Sequence, residues 1–324
     1  MNARCPRMKL PGAFSCRCPT LRRVEENSSG FLRKRVELLV EMCYDIVVSV
    51  WGDCAHFRYP ILRKGAFFMA TPHTIAVAGK GGVGKTTTCG MIIDYLCKQH
   101  RGPVLVVDAD ANSNLNEVLG VEADITLGQI REEMAQAELK GTIPKGMTKA
   151  DYAEMKFNDA LIEDDDFDML VMGRTQGKGC YCYVNGVLKT QVDKYAKNYS
   201  YIVMDNEAGL EHVARGTLPH VDTMLLISDC SRRGIQAVAR LAEMINEMDL
   251  NPGQMGLIVN RAPGGVLDDG VKAEIERHGL RLFGVLPQDD AVYRCDCNGE
   301  PSARLPEDDV MKSALKEVLK NIGL

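Results

Sequence analysis

The sequence predicts an α/β fold, a mostly parallel sheet flanked by helices. Two observations predict it. Short, continuous apolar runs rich in β-branched residues recur along the chain, and amphipathic helical patterns separate most of them. Seven runs fit buried strands, at 74–78, 104–107, 169–172, 201–204, 223–227, 255–259 and 282–286. Helical periodicity covers 86–99, 184–198, 234–248, 271–278 and 307–322. Because helices alternate with strands, the sheet is expected to be covered on both faces.

The elements follow one another in a strand-then-helix rhythm. The first run, 74–78, leads into a glycine-rich turn, and a helical pattern follows at once. The second run ends at Asp108. The interval from Leu115 to Phe167 reads as amphipathic helix and loop, and its acidic run, 163–166, is interpreted as a solvated turn. From 169 onward, strand and helix patterns alternate almost to the end of the chain.

Composition narrows the functional classes. The 324 residues are 45% apolar and 26% charged, which is typical of a globular protein. A net charge of −5 does not indicate a nucleic-acid partner, and no apolar run approaches the ~20 residues of a membrane-spanning helix. We therefore expect a cytoplasmic protein without nucleic acid or stable membrane association. Without an export signal, its 12 cysteines are expected to be free thiols or metal ligands.

Charge divides the chain near residue 68. Residues 1–68 carry 12 basic and 6 acidic side chains, a net of +6, whereas the remainder has 27 and 38, a net of −11. Two interpretations of 1–68 stay open: a basic, cysteine-containing N-terminal extension of unknown role, or a start codon placed too early. We favour the second, with Met69 the first residue, because this segment shows no recognisable chemistry. Residues 69–324 are expected to form a single domain.

The strongest motif lies directly after the first predicted strand. It reads Gly79-Lys80-Gly81-Gly82-Val83-Gly84-Lys85-Thr86 and satisfies the P-loop pattern G-x-x-x-x-G-K-[ST] between a strand and a helix. Glycines permit a tight loop whose N–H groups surround phosphate oxygens at a helix N-terminus. Lys85 is expected to reach the β- and γ-phosphates and Thr86 to bind Mg²⁺, with Thr87 completing the nucleotide-binding set. The domain is therefore predicted to bind a nucleoside triphosphate.

A lysine at the second position of the loop, Lys80, gives the segment KGGVGKT. This deviant P-loop resembles that of the nucleotide-dependent dimerising ATPases, which include nitrogenase iron protein, the MinD-like septum-site positioners, partition proteins and metal-cluster maturation factors. The resemblance implies a P-loop ATPase domain of the nitrogenase iron protein/MinD-like type. It also implies a homodimer that holds two ATP molecules between its subunits, with Lys80 reaching the phosphate bound by the facing subunit.

Further residues match this family beyond the carboxyl ends of the predicted strands. The resemblance implies that Asp110 orients or deprotonates the attacking water and that Asp108 supports the Mg²⁺ shell. In the later segment Asp205-Asn-Glu-Ala-Gly209, it implies that Asp205 holds Mg²⁺ and that Gly209 offers its N–H to the γ-phosphate. Ligands of open α/β sheets bind at this edge.

The residues expected near the base favour ATP over GTP. The guanine-recognition pattern N-K-x-D is missing, and the corresponding strand end reads Asn260-Arg261. In the dimerising ATPases an asparagine at this place contacts adenine. A later strand end containing Pro287 is expected to close over the base.

A pair of cysteines, Cys180 and Cys182, follows the run 169–172. In an extended segment, side chains at i and i+2 point to the same side, so the two thiolates can share one metal. Two subunits would supply four sulfurs, a full thiolate set for Ni²⁺ or Zn²⁺. Two packed core cysteines are the alternative. A second pair, Cys295 and Cys297, lies in a predicted helix where i and i+2 chelate poorly, and it is interpreted as incidental.

Three segments closely resemble the CooC-type accessory ATPases. They are Cys180-Tyr-Cys182-Tyr-Val-Asn185, Asp205-Asn-Glu-Ala-Gly-Leu-Glu-His212 and Asp108-Ala-Asp110-Ala-Asn-Ser-Asn114. The resemblance implies a homodimer that binds nickel through paired CxC motifs. It implies delivery of that nickel, driven by ATP, to a carbon monoxide dehydrogenase/acetyl-CoA synthase-type client.

Two rival functions stay open. A MinD/ParA-like positioning ATPase would share every nucleotide residue, and the last helix does show Lys312, Lys316 and Lys320 opposite an apolar stripe. A core-packed closing helix explains the same pattern. An iron–sulfur carrier of the same superfamily is the other rival, although such carriers usually use C-x-x-C or widely spaced cysteines.

Overall fold

The computed structural model describes residues 71–174, 190, 194–206 and 220–324. The segment 1–68 lies outside these residues, and so do three predicted site residues, Cys180, Cys182 and Gly209. Their assignments stay predictions. In the described residues no helix combines the length and the apolar character needed to cross a membrane.

One eight-stranded sheet organises the described residues, in the order β3-β4-β2-β5-β1-β6-β7-β8. All neighbours pair in parallel except β3, which is antiparallel to β4. The seven predicted strands are all present, and the fold class is confirmed. Only the two-residue β3 was not predicted, because a strand of that length leaves no periodicity to detect. The strands are β1 (His73–Gly79), β2 (Val104–Asp108), β3 (Ile162–Glu163), β4 (Phe167–Val171), β5 (Tyr201–Asp205), β6 (Thr223–Asp229), β7 (Gln254–Ala262) and β8 (Leu282–Pro287).

Helices connect most of these strands. Three of them occupy the interval that the sequence left as helix and loop, and the two longer ones begin at capping boxes, formed at Thr126 and at Thr148. The predicted helix 184–198 lies mostly outside the described residues. The described helices are α1 (Lys85–Lys98), α2 (Leu115–Leu119), α3 (Leu127–Lys140), α4 (Lys149–Asp159), α5 (Arg232–Glu247), α6 (Asp269–Arg277), α7 (Asp290–Asn298) and α8 (Val310–Asn321).

The core lies on both faces of the sheet, as the continuous apolar strands predict. Successive side chains of a strand point to opposite faces, and β1 shows this clearly. Ile75 and Val77 belong to one apolar cluster with residues of α1 and α8, whereas Ala76 and Ala78 belong to the other, with residues of α3, α5 and α6. Burial on both faces fixes the register of β1, and with it the position of the loop that follows.

The last helix, α8, closes the core. Its apolar residues Met311, Leu315 and Leu319 are buried. It begins at Val310, three residues later than predicted, because Asp309 caps it by accepting hydrogen bonds from two N–H groups of the first turn. Lys312 is also buried, which favours the interpretation of a core-packed closing helix over an exposed lysine face at this residue. Its ammonium donates to Asp94 Oδ2 at 2.6 Å and to the carbonyls of Ala303 and Leu305 at 2.9 Å each.

Candidate functional site

The P-loop connects β1 to α1 and packs tightly against two neighbouring strands. At Gly79 a Cβ atom would lie 2.3 Å from the carbonyl oxygen of Ile227 on β6. At Gly84, where φ is +88°, a Cβ would lie 2.4 Å from Asn260 Nδ2 on β7. Real Cβ atoms do not approach so closely, and positive φ strains any other residue. Gly79 and Gly84 are therefore required by the shape of the loop.

Two residues at the end of β7 hold this loop from outside. Asn260 Nδ2 donates to the Val83 carbonyl at 2.9 Å, and Arg261 Nη1 donates to the Gly82 carbonyl at 3.0 Å. The other polar atom of the Asn260 side chain, Oδ1, accepts from the Arg261 N–H at 2.8 Å. Asn260 is thus buried and committed to shaping the loop. Its contact with adenine stays a prediction.

The start of α1 fits a phosphate group. Its N-cap, Gly84, provides no side-chain cap for the first turn, which contains Lys85, Thr86 and Thr87. N–H groups at such a helix start attract an anion. Lys85 is buried, and its Nζ donates to the Lys80 carbonyl at 3.3 Å, so the ammonium lies at the loop. Lys80 itself is exposed, which leaves it accessible to a second molecule.

Asp108, at the end of β2, organises the loop that follows. It is fully buried; its Oδ1 accepts the N–H of Asp110 at 3.0 Å and its Oδ2 accepts that of Leu115 at 3.1 Å. Burial raises the pKa of Asp108 to about 6, although the two backbone hydrogen bonds oppose the rise. Asp110 is oriented in turn, since its Oδ1 accepts the Asn112 N–H at 2.8 Å. Asp108 therefore positions Asp110, and its part in a Mg²⁺ shell stays a prediction.

Asp205 ends β5, between the strands that carry the P-loop and Asp108. In the sheet register it lies opposite Val77 on one side and Asp108 on the other. It is 1% exposed, and no donor in the described residues completes a hydrogen bond with either carboxylate oxygen. Burial raises its pKa to about 7; the nearby Thr86 hydroxyl and the Lys85 charge oppose this rise, and Asp108 adds to it.

These observations fit a bound Mg²⁺. A buried carboxylate with unpaired oxygens and a raised pKa calls for a cation, and Mg²⁺ prefers oxygen ligands. Asp205 and Thr86 are the residues of the described chain that would hold it, as the sequence predicted. In the described ranges, no group of three or more His, Cys, Asp or Glu side chains is arranged to hold a metal ion, so the site proposed here combines one carboxylate with a hydroxyl.

The comparisons with known proteins agree with this geometry. The family model described as the CobQ/CobB/MinD/ParA nucleotide binding domain matches residues 74–302. The chain belongs to this family. An uncharacterized ATP-binding protein of Methanocaldococcus jannaschii is 41% identical over 250 residues, which cover 76% of this chain and 97% of that protein. The carbon monoxide dehydrogenase accessory protein CooC of Rhodospirillum rubrum is 27% identical over 241 residues, 66% of this chain and 90% of CooC.

Among solved structures, the septum site-determining protein MinD of Pyrococcus horikoshii, complexed with Mg-ADP, aligns with a TM-score of 0.55. It is 19% identical and covers 78% of this chain and 96% of MinD, so it supports the fold alone. The family match and the 41% identical relative confirm the predicted P-loop ATPase of the MinD/ParA type, and the solved structure confirms its fold. Family membership alone does not test the predictions of a homodimer and of nickel binding, and both stay predictions.

In this CobQ/CobB/MinD/ParA ATPase, a cavity of about 730 Å³ lies beside the strand end that was predicted to cover the base. It is lined by Pro263 and Gly264 after β7, by residues 288–291 after β8, and by the loop before α8. Pro287 pairs with Ala262 in the sheet, and each directly precedes a residue that lines the cavity, Gln288 and Pro263. The cavity has room for a nucleoside.

Residues 69–324 contain two C-x-C pairs. Cys180 and Cys182 lie outside the described residues. Of the second pair, Cys295 is buried and Cys297 is exposed, as expected for i and i+2 positions on α7. Their different environments agree with the interpretation that this pair does not chelate a metal.

Sequence reasoning missed one residue of the site, Asn206. It directly follows Asp205 and is 1% exposed. The only signal in the sequence was its place beside the predicted Mg²⁺ ligand, and nothing in the pattern indicated where its side chain would point.

Proposed function

We propose that this ATPase is an ATP-dependent metallochaperone. Two subunits bind one Ni²⁺ (or Zn²⁺) through Cys180 and Cys182 of each chain. ATP binding and hydrolysis then drive delivery of the metal to a carbon monoxide dehydrogenase/acetyl-CoA synthase-type client. Support comes from the three segments that resemble CooC-type ATPases and from the 27% identity with CooC.

One contact carries the proposal: the Met172 N–H, just after β4, donates to the Asp108 carbonyl at 2.8 Å. β4 pairs with β2, and Val171 lies opposite Asp108 in the register. In the sequence, Cys180 and Cys182 follow within about ten residues of Met172. β4 itself ends at the same edge of the sheet, and beside the same strand, as the loop that carries Asp110. This adjacency supports coupling between nucleotide and metal.

The chemistry of hydrolysis follows from the side chains at this edge. Lys85 and the N-terminus of α1 bind the phosphates, and Lys80 of each chain supplies charge to the nucleotide held by the other. Asp110 orients the attacking water, and Asp205 with Thr86 holds Mg²⁺. The bound ion supplies charge that neutralises the phosphate oxygens.

Coordination explains why two chains are needed. Two thiolates fill half of a four-coordinate shell, so one chain leaves the metal half bound until a second chain closes the shell. Thiolate is a soft ligand that both Ni²⁺ and Zn²⁺ accept. A metal held this way is released when the subunits separate, which is the step that nucleotide turnover would control.

A positioning ATPase stays the alternative, because the MinD/ParA proteins belong to the same family. Its main sequence feature was an exposed lysine face on the C-terminal helix. That feature is weakened here, since α8 packs into the core and Lys312 is buried against Asp94. Vesicle cosedimentation with ATP separates the alternatives: a positioning ATPase of the membrane type sediments with vesicles, whereas the proposed metallochaperone does not.

The proposal is tested with two double variants under anaerobic conditions. Cys180→Ser with Cys182→Ser should eliminate tight Ni²⁺ or Zn²⁺ binding, because a serine hydroxyl stays protonated and is a poor ligand. Nucleotide binding should survive. The matched control, Cys295→Ser with Cys297→Ser, should bind metal like the wild type. If instead the control loses metal and the first variant keeps it, the site has been assigned to the wrong pair.

A further inference from the structure

Unpaired acceptors are concentrated at the end of β5. In the described part of the chain, four buried side-chain oxygens have no hydrogen-bond donor. Three of them belong to consecutive residues, two to Asp205 and one to Asn206; the fourth is Oδ1 of Asn116 on α2. Buried polar atoms are normally paired, so such a concentration indicates a ligand that supplies donors or positive charge.

The orientation of the Asn206 amide is fixed. Its Nδ2 donates to the Val77 carbonyl at 2.9 Å, and its backbone N–H donates to the same carbonyl at 3.1 Å. Only the nitrogen of the amide can donate, so Nδ2 must face Val77 and the other atom must be the oxygen Oδ1. Asn206 is therefore held by β1, the strand that leads directly into the P-loop. Its Oδ1 remains an unused acceptor beside Asp205.

The chemistry of these oxygens selects the ligand. All three only accept hydrogen bonds when Asp205 is ionised, so neither a phosphate oxygen nor an apolar group suits them. A divalent cation suits Asp205. The Asn206 amide oxygen is neutral and suits a hydrogen-bond donor, such as a water bound to the cation. Mg²⁺ in proteins usually keeps several of its bound waters.

We propose that Asn206 Oδ1 accepts a hydrogen bond from a water bound to the Mg²⁺ of the nucleotide complex. Asn206 is then a metal-binding residue of the outer shell, which acts beside Asp205 and fixes how the hydrated ion lies against the P-loop. The inference rests on the nucleotide site, and it is independent of metal delivery to a client.

The test measures Mg²⁺ affinity without turnover. Asn206→Ala is saturated with ADP and titrated with Mg²⁺ by calorimetry, or with Mn²⁺ by electron paramagnetic resonance. We expect the metal affinity to fall about tenfold or more, the usual effect of removing an outer-shell partner. ADP affinity in EDTA should match the wild type. Asn116→Ala, which removes an equally unpaired oxygen on α2, should change neither value.

A second variant keeps the test decisive if Asn206→Ala fails to fold. Asn206→Ser retains a short side chain with a hydroxyl donor for the Val77 carbonyl but has no acceptor at the position of Oδ1, so the same loss of metal affinity is expected. Unchanged Mg²⁺ affinity in a folded variant would overturn the role of Asn206 alone. An equal loss of ADP affinity with and without metal would overturn it too, because the oxygen would then serve the nucleotide. If the ADP affinity of the wild-type protein is the same with and without Mg²⁺, the result would instead contradict the nucleotide site itself.

Discussion

Replacing Asp205 by asparagine is expected to stabilise the metal-free protein at neutral and alkaline pH while it abolishes Mg²⁺-dependent hydrolysis. The side chain is 1% exposed and its oxygens are unpaired in the described residues. Burial raises its pKa from 3.8 to about 7. Without metal, the folded state therefore holds the proton more tightly than the unfolded chain does.

The sign and size of the effect follow from linkage. The pKa of Asp205 is higher in the folded state than in the unfolded chain. The contribution of its protonated form to stability is therefore fully present below about pH 4 and is lost as the pH rises through about 7. A shift of this size corresponds to roughly 4 kcal/mol of unfolding free energy. Asparagine cannot ionise, so the variant should gain about this much relative to the wild type between pH 4 and pH 8. For a domain of this size the gain corresponds to a difference in Tm on the order of 10 °C at pH 8.

The assay is thermal and urea unfolding in EDTA from pH 4 to pH 8. Asp222→Asn is the matched control. Burial raises the pKa of Asp222, but hydrogen bonds from the Thr74 N–H and hydroxyl outweigh it, so the net pKa is lowered. The stabilisation from this aspartate is present above the unfolded pKa of about 3.8 and is lost only at lower pH. Its variant should therefore be less stable than the wild type across the assay range, without the change between pH 4 and pH 8 that is expected for Asp205→Asn. If the difference in stability between Asp205→Asn and the wild type does not change with pH, the description of Asp205 as a buried carboxylate without hydrogen-bond donors is refuted.

The remaining predictions concern the loop and the closing helix. Lys85→Ala should abolish ATP hydrolysis in a steady-state phosphate-release assay, because it removes the charge at the phosphates. Lys80→Ala should lower the rate by ~10³-fold or more, as loss of a charge supplied across an interface does; normal turnover by this variant would contradict the two-subunit site. Lys312→Met should lower the unfolding free energy by about 1–3 kcal/mol in urea titration, because it leaves the buried carbonyls of Ala303 and Leu305 without their donor. Asp94 keeps a second cation, Lys98, at 2.9 Å. Lys316→Met, on the same helix and less buried, is its control and should change stability by less than about 1 kcal/mol.

The sequence predicted those features that depend on local pattern. Seven strands were found because a strand buried on both faces must be apolar throughout, and the P-loop was found because its shape demands glycine at fixed spacing. The bounds of the helices between Leu115 and Phe167 were harder to predict, because α3 and α4 carry few buried residues and their apolar periodicity is weak.

Features that depend on distant partners were not predictable. Lys312 has the spacing of an exposed stripe, but its partner, Asp94, comes from a helix 218 residues earlier. Asn206 is oriented by the carbonyl of Val77, 129 residues away. The role of Asp108 depends on two backbone N–H groups, which become its partners only after the following loop has turned.

The central claim is that nucleotide and metal are bound by one pair of subunits. Its most direct test is anaerobic titration of the full chain with Ni²⁺, with and without Mg²⁺ and ATP, followed by native mass spectrometry. We expect a complex of two chains that holds two ATP molecules and one Ni²⁺. One tightly bound nickel on each separate chain, with or without ATP, would contradict it.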